Sequence, residues 1–179
     1  MVDAPTGSCI CGGIKISFTG DPVFTLKEPS SRNARQSASA TDDRKMPDTQ
    51  VWQIPQANFS IDAGELKTYS KVSDHGHEIR THFCPHRGTA MYRTGGAMQV
   101  QGLIGLRAGV LDDQSLLNER PPKIEVYVDR RPKWIGRVPE ATQLSSEHEI
   151  LERRAADQLL VTTGGVPTLI WHTAGFPRG

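Results

Sequence analysis

Three sulfur atoms are the first residues in this chain able to do chemistry together. Gly7-Ser8-Cys9-Ile10-Cys11-Gly12 sets two cysteines one residue apart between glycines, and Phe83-Cys84-Pro85-His86-Arg87-Gly88 carries the third. These account for every cysteine in the sequence. A Cys-x-Cys pair at a turn can aim both sulfurs to one side of a loop, which suits a soft divalent ion such as zinc. A cysteine followed by Pro and Gly is half of a second knuckle, in which Cys-x-x-Cys-Gly would complete four ligands. Arg87 stands where the fourth sulfur belongs, and a guanidinium is a permanently charged donor that cannot bind a cation. Cys9, Cys11 and Cys84 are therefore candidate metal ligands with an open fourth position. His86 is a candidate for that position; His82, His77, a water or no ligand at all are the alternatives. The plainer reading is three reduced thiols left behind by a decayed site.

The elements that must position these sulfurs read as strands. Ile14, Ile16 and Phe18 alternate with Lys15 and Ser17, the pattern of a half-buried strand leaving the first cysteine turn. Further short strands are expected at Val23 to Leu26, Val51 to Ile54, Asn58 to Ile61 and Glu65 to Ser70. Asp74-His75-Gly76-His77 reads as a hairpin tip leading into Glu78 to Phe83, and so to Cys84. Thr89 to Arg93 leaves the knuckle, Gly95-Gly96 turns it, and Ala97 to Leu106 returns. The clearest alternation is Lys123-Ile124-Glu125-Val126-Tyr127-Val128. Many short strands punctuated by Gly and Pro predict an all-β fold. The tail differs. Ser146-x-x-Glu149 has the form of a capping box, and Ile150, Leu151, Ala155, Leu159 and Leu160 make an apolar stripe for a helix over 146–160.

Length and composition bound the rest. The chain has 179 residues, enough for one domain and an appended tail. Its 36% hydrophobic content predicts a modest core that a bound ion would help to fasten. Net charge is +1 with dispersed basic residues, which argues against a nucleic-acid surface. No apolar run nears the roughly 18 residues of a membrane span. The first residues lack a charged and apolar leader, and an odd cysteine count does not make a disulfide framework. A reducing compartment is expected, cytoplasmic by default, with the nucleus as the other choice.

The ordered set of pieces carries a resemblance. Gly7-Ser8-Cys9-x-Cys11-Gly12, Gly64-Glu65-Leu66-Lys67-Thr68-Tyr69, Phe83-Cys84-Pro85, Gly109-Val110-Leu111-Asp112-Asp113 and Pro132-Lys133-Trp134 occur in the order seen in one family. The chain resembles the glutathione-dependent formaldehyde-activating enzymes, whose domain is shared with centromere protein V. The resemblance spans residues 5–138 and leaves 139–179 as an extension. It implies a β-tent fold, a structural zinc on the three cysteines, and carbon–sulfur lyase chemistry on glutathione adducts such as S-hydroxymethylglutathione.

One departure bears on that chemistry. The family carries Cys-His-Cys-x-x-Cys-Arg-Gln for its catalytic zinc, and those ligand positions fall on Pro29, Ser30, Ser31 and Ala34. None is a credible zinc ligand, so one structural ion is expected and the catalytic ion is not. Arg32, Arg35 and Gln36 keep the flanking pattern, and the resemblance implies contact with glutathione or another small anionic molecule. The polar run Ser37 to Gln50 reads as a solvated insertion. Two readings follow: a divergent lyase-family enzyme whose pocket survives, or a non-catalytic zinc-stapled binding module.

Overall fold

The chain's architecture comes from a computed structural model, which describes residues 4–29, 48–73, 76–96 and 101–153. Strands β1 (Thr6–Ser8), β2 (Lys15–Phe18) and β5 (Phe59–Ala63) form a three-stranded sheet in the order β1-β2-β5. The remaining strands are β3 (Phe24–Pro29), β4 (Asp48–Pro55), β6 (Lys67–Val72), β7 (Glu78–Phe83), β8 (Ala90–Gly95), β9 (Leu103–Arg107), β10 (Ile124–Val126) and β11 (Thr142–Leu144). They make an eight-stranded sheet in the order β11-β10-β3-β4-β9-β8-β7-β6. Pairing is antiparallel except at β10, which runs parallel to both β3 and β11. The expected all-β class is met: helical structure among the described residues is confined to short pieces such as α1 (Ser115–Glu119).

Alternation along the central strands sorts side chains onto two faces. On one face, Trp52 and Ile54 of β4, Tyr92 of β8 and Leu106 of β9 meet Ile14, Ile16 and Phe18 from the small sheet, forming a core between the sheets. Cys9 and Cys84 belong to this cluster. On the other face, Leu26, Val51, Leu103, Ile124, Val126, Leu144 and Ile150 form a second cluster. Residues 148–153 are helical, and Ile150 and Leu151 reach this second cluster. The carboxylate of Glu149 accepts the backbone N–H of Ser145 at 2.9 Å, closing the start of that turn. Of the helix expected over 146–160, residues 154–160 lie outside the described residues.

The strand expected over Lys123–Val128 is shorter than its alternation suggests. Only Ile124–Val126 is extended, and all three residues are buried. Tyr127 adopts a left-handed conformation (φ 57°), which ends the strand and starts a short helical turn at Val128–Arg130. Glu125 therefore does not face water. Arg131 reaches its carboxylate at 2.8 Å and Lys27 lies 3.7 Å away. Three further elements give no readable pattern because each is too short: β1, β11 and α1.

Candidate metal centre

The turn after β1 is built to present sulfur. The backbone N–H of Cys9 donates to the carbonyl of Ile14 at 3.1 Å, and that of Gly12 donates back to the carbonyl of Cys9 at 2.8 Å. This ties the six-residue loop into a tight hairpin between β1 and β2, with Cys9 and Cys11 on it. Gly64 packs directly beneath. A β-carbon there would run into the carbonyl oxygen of Gly13, and its φ of 82° favours glycine. On the opposite side, Asp112 holds β1 in place. Its carboxylate accepts from the hydroxyls of Thr6 at 2.8 Å and Ser8 at 2.6 Å. Asp112 thus acts structurally and braces the segment that carries Cys9.

Cys84 arrives from the end of β7. Its N–H donates to Thr89 at 2.9 Å, and Gly88 N–H donates to the Cys84 carbonyl at 2.8 Å. Gly88 takes a φ of 68°, the left-handed conformation that closes the turn. The three sulfurs meet here. Cys9 Sγ lies 3.3 Å from Cys11 Sγ, and Cys11 Sγ lies 3.6 Å from Cys84 Sγ. All three lie within 4.8 Å of one another, although Cys11 and Cys84 are 73 residues apart in sequence. Tetrahedral zinc with sulfurs at roughly 2.3 Å requires sulfur–sulfur separations of about 3.8 Å. The observed triangle is close to that size, so the cluster can hold a metal ion.

The backbone is also prepared for thiolates. Ile14 N–H donates to Cys9 Sγ at 3.2 Å. Burial pushes the Cys9 thiol up, but this amide, that of Cys11 and the neighbouring sulfurs outweigh it and leave the group below its ordinary value. Burial raises Cys84, with the amides of Arg87 and His86 pulling the other way. Cys9 and Cys84 are buried while Cys11 is exposed, so the cluster opens to solvent on one side.

The sequence-derived ligands divide accordingly. Cys9, Cys11 and Cys84 come together; His86 is exposed and stands outside the cluster. His82 is engaged elsewhere, stacked on Tyr92 with ring centroids 4.2 Å apart and in hydrogen-bond contact with Thr94 Oγ1 at 3.0 Å. Burial, then the charge of Arg80, lowers its pKa. Arg32, Arg35 and Gln36 lie outside the described residues, as do Ser30, Ser31 and Ala34.

A second polar group escapes the sequence reading altogether. On the far face of the large sheet, Glu28 is gripped by Arg93 and, at 3.3 Å, by Arg107. Arg93 also pairs with Glu147, which enters from the C-terminal segment. Glu28 is 1% exposed, and despite a burial penalty the two guanidinium charges hold its carboxyl down to about 2. Burial outweighs Arg93 at Glu147 and raises that group instead. One residue type signals this arrangement. Gly105 interrupts the apolar run of β9 opposite Arg93, and a β-carbon there would press on Arg93 and Val51 at 3.2 Å.

An all-β fold with a three-cysteine cluster joining two turns is the class the structure defines. The chain belongs to the glutathione-dependent formaldehyde-activating enzyme family, whose model matches residues 4–130. A search of the curated proteins finds no match. Among solved structures, a crystal structure of a Rhodobacter sphaeroides protein is similar at 14% identity with a TM-score of 0.45, covering 63% of this chain and 94% of that one. No helix among the described residues is long and apolar enough to cross a membrane.

Proposed function

We propose that this chain is a divergent, zinc-stapled member of its family that has given up the reaction on glutathione adducts and serves as a binding module. One observation carries the reading: all three cysteines of the chain are spent on a single cluster. No thiolate is left to build a second centre. Cys9, Cys11 and Cys84 would hold the ion, with solvent completing the set on the open side of Cys11. The zinc supplies a cross-link between the first turn and the β7–β8 turn. Three thiolates largely neutralise its Lewis acidity, which suits a staple better than a catalyst. Reduced thiols fit a cytosolic setting.

Metal analysis of the purified protein tests this. One zinc per chain is expected, and two would overturn it. In a glutathione–formaldehyde exchange assay, no acceleration over the spontaneous rate is expected. A clear enhancement would favour the alternative that family membership supports, a surviving carbon–sulfur lyase acting on S-hydroxymethylglutathione. Arg32, Arg35 and Gln36 would then be the residues to bind glutathione.

The position of Arg87 gives a further expectation. It occupies the place of a fourth sulfur in a turn already closed by Gly88. Arg87→Cys is expected to tighten zinc binding by about a hundredfold, one ligand's part of the roughly 10–16 kcal/mol that structural sites supply. Competition against a chromophoric chelator measures it, and unchanged affinity would count against the decayed-site account.

A further inference from the structure

A cleft of about 670 Å³ lies at the end of the large sheet where β3, β10 and β11 meet. Its lining draws on the second core cluster and includes none of the three cysteines. Ligand clefts run on the order of 300–1,000 Å³ and combine an apolar body with a few placed polar groups. This one fits that description. Phe24, Ile124, Leu144 and Ile150 give it apolar walls, and Lys123 and Arg153 stand at its rim.

The charges around it are not balanced. The two acids of the lining, Asp21 and Glu119, are both spent on Arg120, at 2.7 and 3.5 Å. Arg120 is further held over the Trp52 ring, 5.7 Å from its centroid. Among the described residues no carboxylate pairs with Lys123 or Arg153, so the rim carries two uncommitted cations.

The wall bearing Lys123 is pinned before any ligand arrives. Its N–H donates to the carbonyl of Thr25 at 3.0 Å, and its carbonyl accepts from Thr142 at 2.9 Å. The Thr25 hydroxyl fixes the neighbouring Pro121 carbonyl at 2.7 Å. An ordered backbone under a cation lowers the entropy cost of using it.

We infer that this cleft binds a small amphipathic anion, an aryl or branched alkyl carboxylate whose apolar body packs against Phe24, Ile124, Leu144 and Ile150 while its carboxylate meets Lys123 and Arg153. The site is independent of the metal centre, so its test does not depend on zinc. Calorimetry on the full chain would compare naphthoate with its neutral counterpart naphthylmethanol. Saturable binding of one naphthoate per chain is expected, about tenfold tighter than naphthylmethanol, the combined effect of two solvent-exposed ion pairs. The double variant Lys123→Gln/Arg153→Gln should lose that preference while keeping the weaker apolar binding. Val23→Trp, which fills the cleft from a half-exposed wall position, should abolish both. Equal affinity for the two molecules, a preference that survives in the double variant, or no saturable binding at all overturns the assignment.

Discussion

On the proposed zinc staple, Cys84→Ser is expected to abolish metal binding and lower the melting temperature by about 10 °C. Cys9 and Cys11 sit on one hairpin; only Cys84 links that hairpin to the β7–β8 turn. Removing it leaves two sulfurs from a single loop, too few to hold an ion tightly. If structural zinc supplies roughly 10–16 kcal/mol, losing one of three sulfurs costs at least about 3 kcal/mol. In a chain of this length that corresponds to the stated shift. Cys84 is also fully buried, so the serine hydroxyl would be placed in an apolar cluster. Cys11→Ser, at an exposed position, should cost less. A chelator should reproduce the loss in the native protein and have no effect on the Cys84 variant. Melting curves with and without chelator, alongside zinc content, decide the matter. A variant that melts normally and keeps its metal would refute the staple.

Arg93→Ala is the second large effect, expected to cost about 3–5 kcal/mol. The guanidinium is shared by Glu28 and Glu147, and truncation leaves both carboxylates facing an apolar interior without it. Arg107 still touches Glu28, but through one contact at 3.3 Å. Glu147→Gln should cost less than Arg93→Ala, because burial works against the charge on that acid. Acidity should act on Glu28 in a defined direction. Its carboxyl lies below its ordinary value of 4.5, at about 2, so the ionised form is favoured in the folded state. Its contribution, on the order of 3 kcal/mol, is complete above pH 4.5 and fades as pH falls toward 2. Glu28→Gln should remove that part of the acid sensitivity. Denaturant titrations between neutral pH and pH 3 measure both effects. A loss under about 1 kcal/mol for Arg93→Ala would mean the sheet relaxes around the hole.

Part of this arrangement is legible in the sequence alone. The cysteine spacing anticipated the cluster, because Cys-x-Cys between glycines has few conformations and a Cys-Pro-x-x-Gly turn has fewer. Gly76 and Gly95-Gly96 marked real reversals, each with positive φ. The buried charges were not legible. Glu28, Arg93, Arg107 and Glu147 lie far apart in sequence, and each reads as an ordinary solvent-facing residue until the strands are laid side by side. The same blindness explains Glu125. Alternation alone would turn it to water, whereas the segment between β10 and β11 brings Arg131 and the Val138 N–H onto its carboxylate. Periodicity reports one strand's two faces, not which of them another element will cover.

The parallel pairing of β3 with β10 has a consequence for biosynthesis. Leu26 must wait for Ile124 before its edge of the sheet is occupied, and β10 in turn borders β11. A growing chain on the ribosome can zip the hairpins from β6 to β9 early, since they are neighbours in sequence. Meanwhile β3 emerges before them and stays open along one side until β10 is made, an invitation to mispairing that chaperones would have to shield.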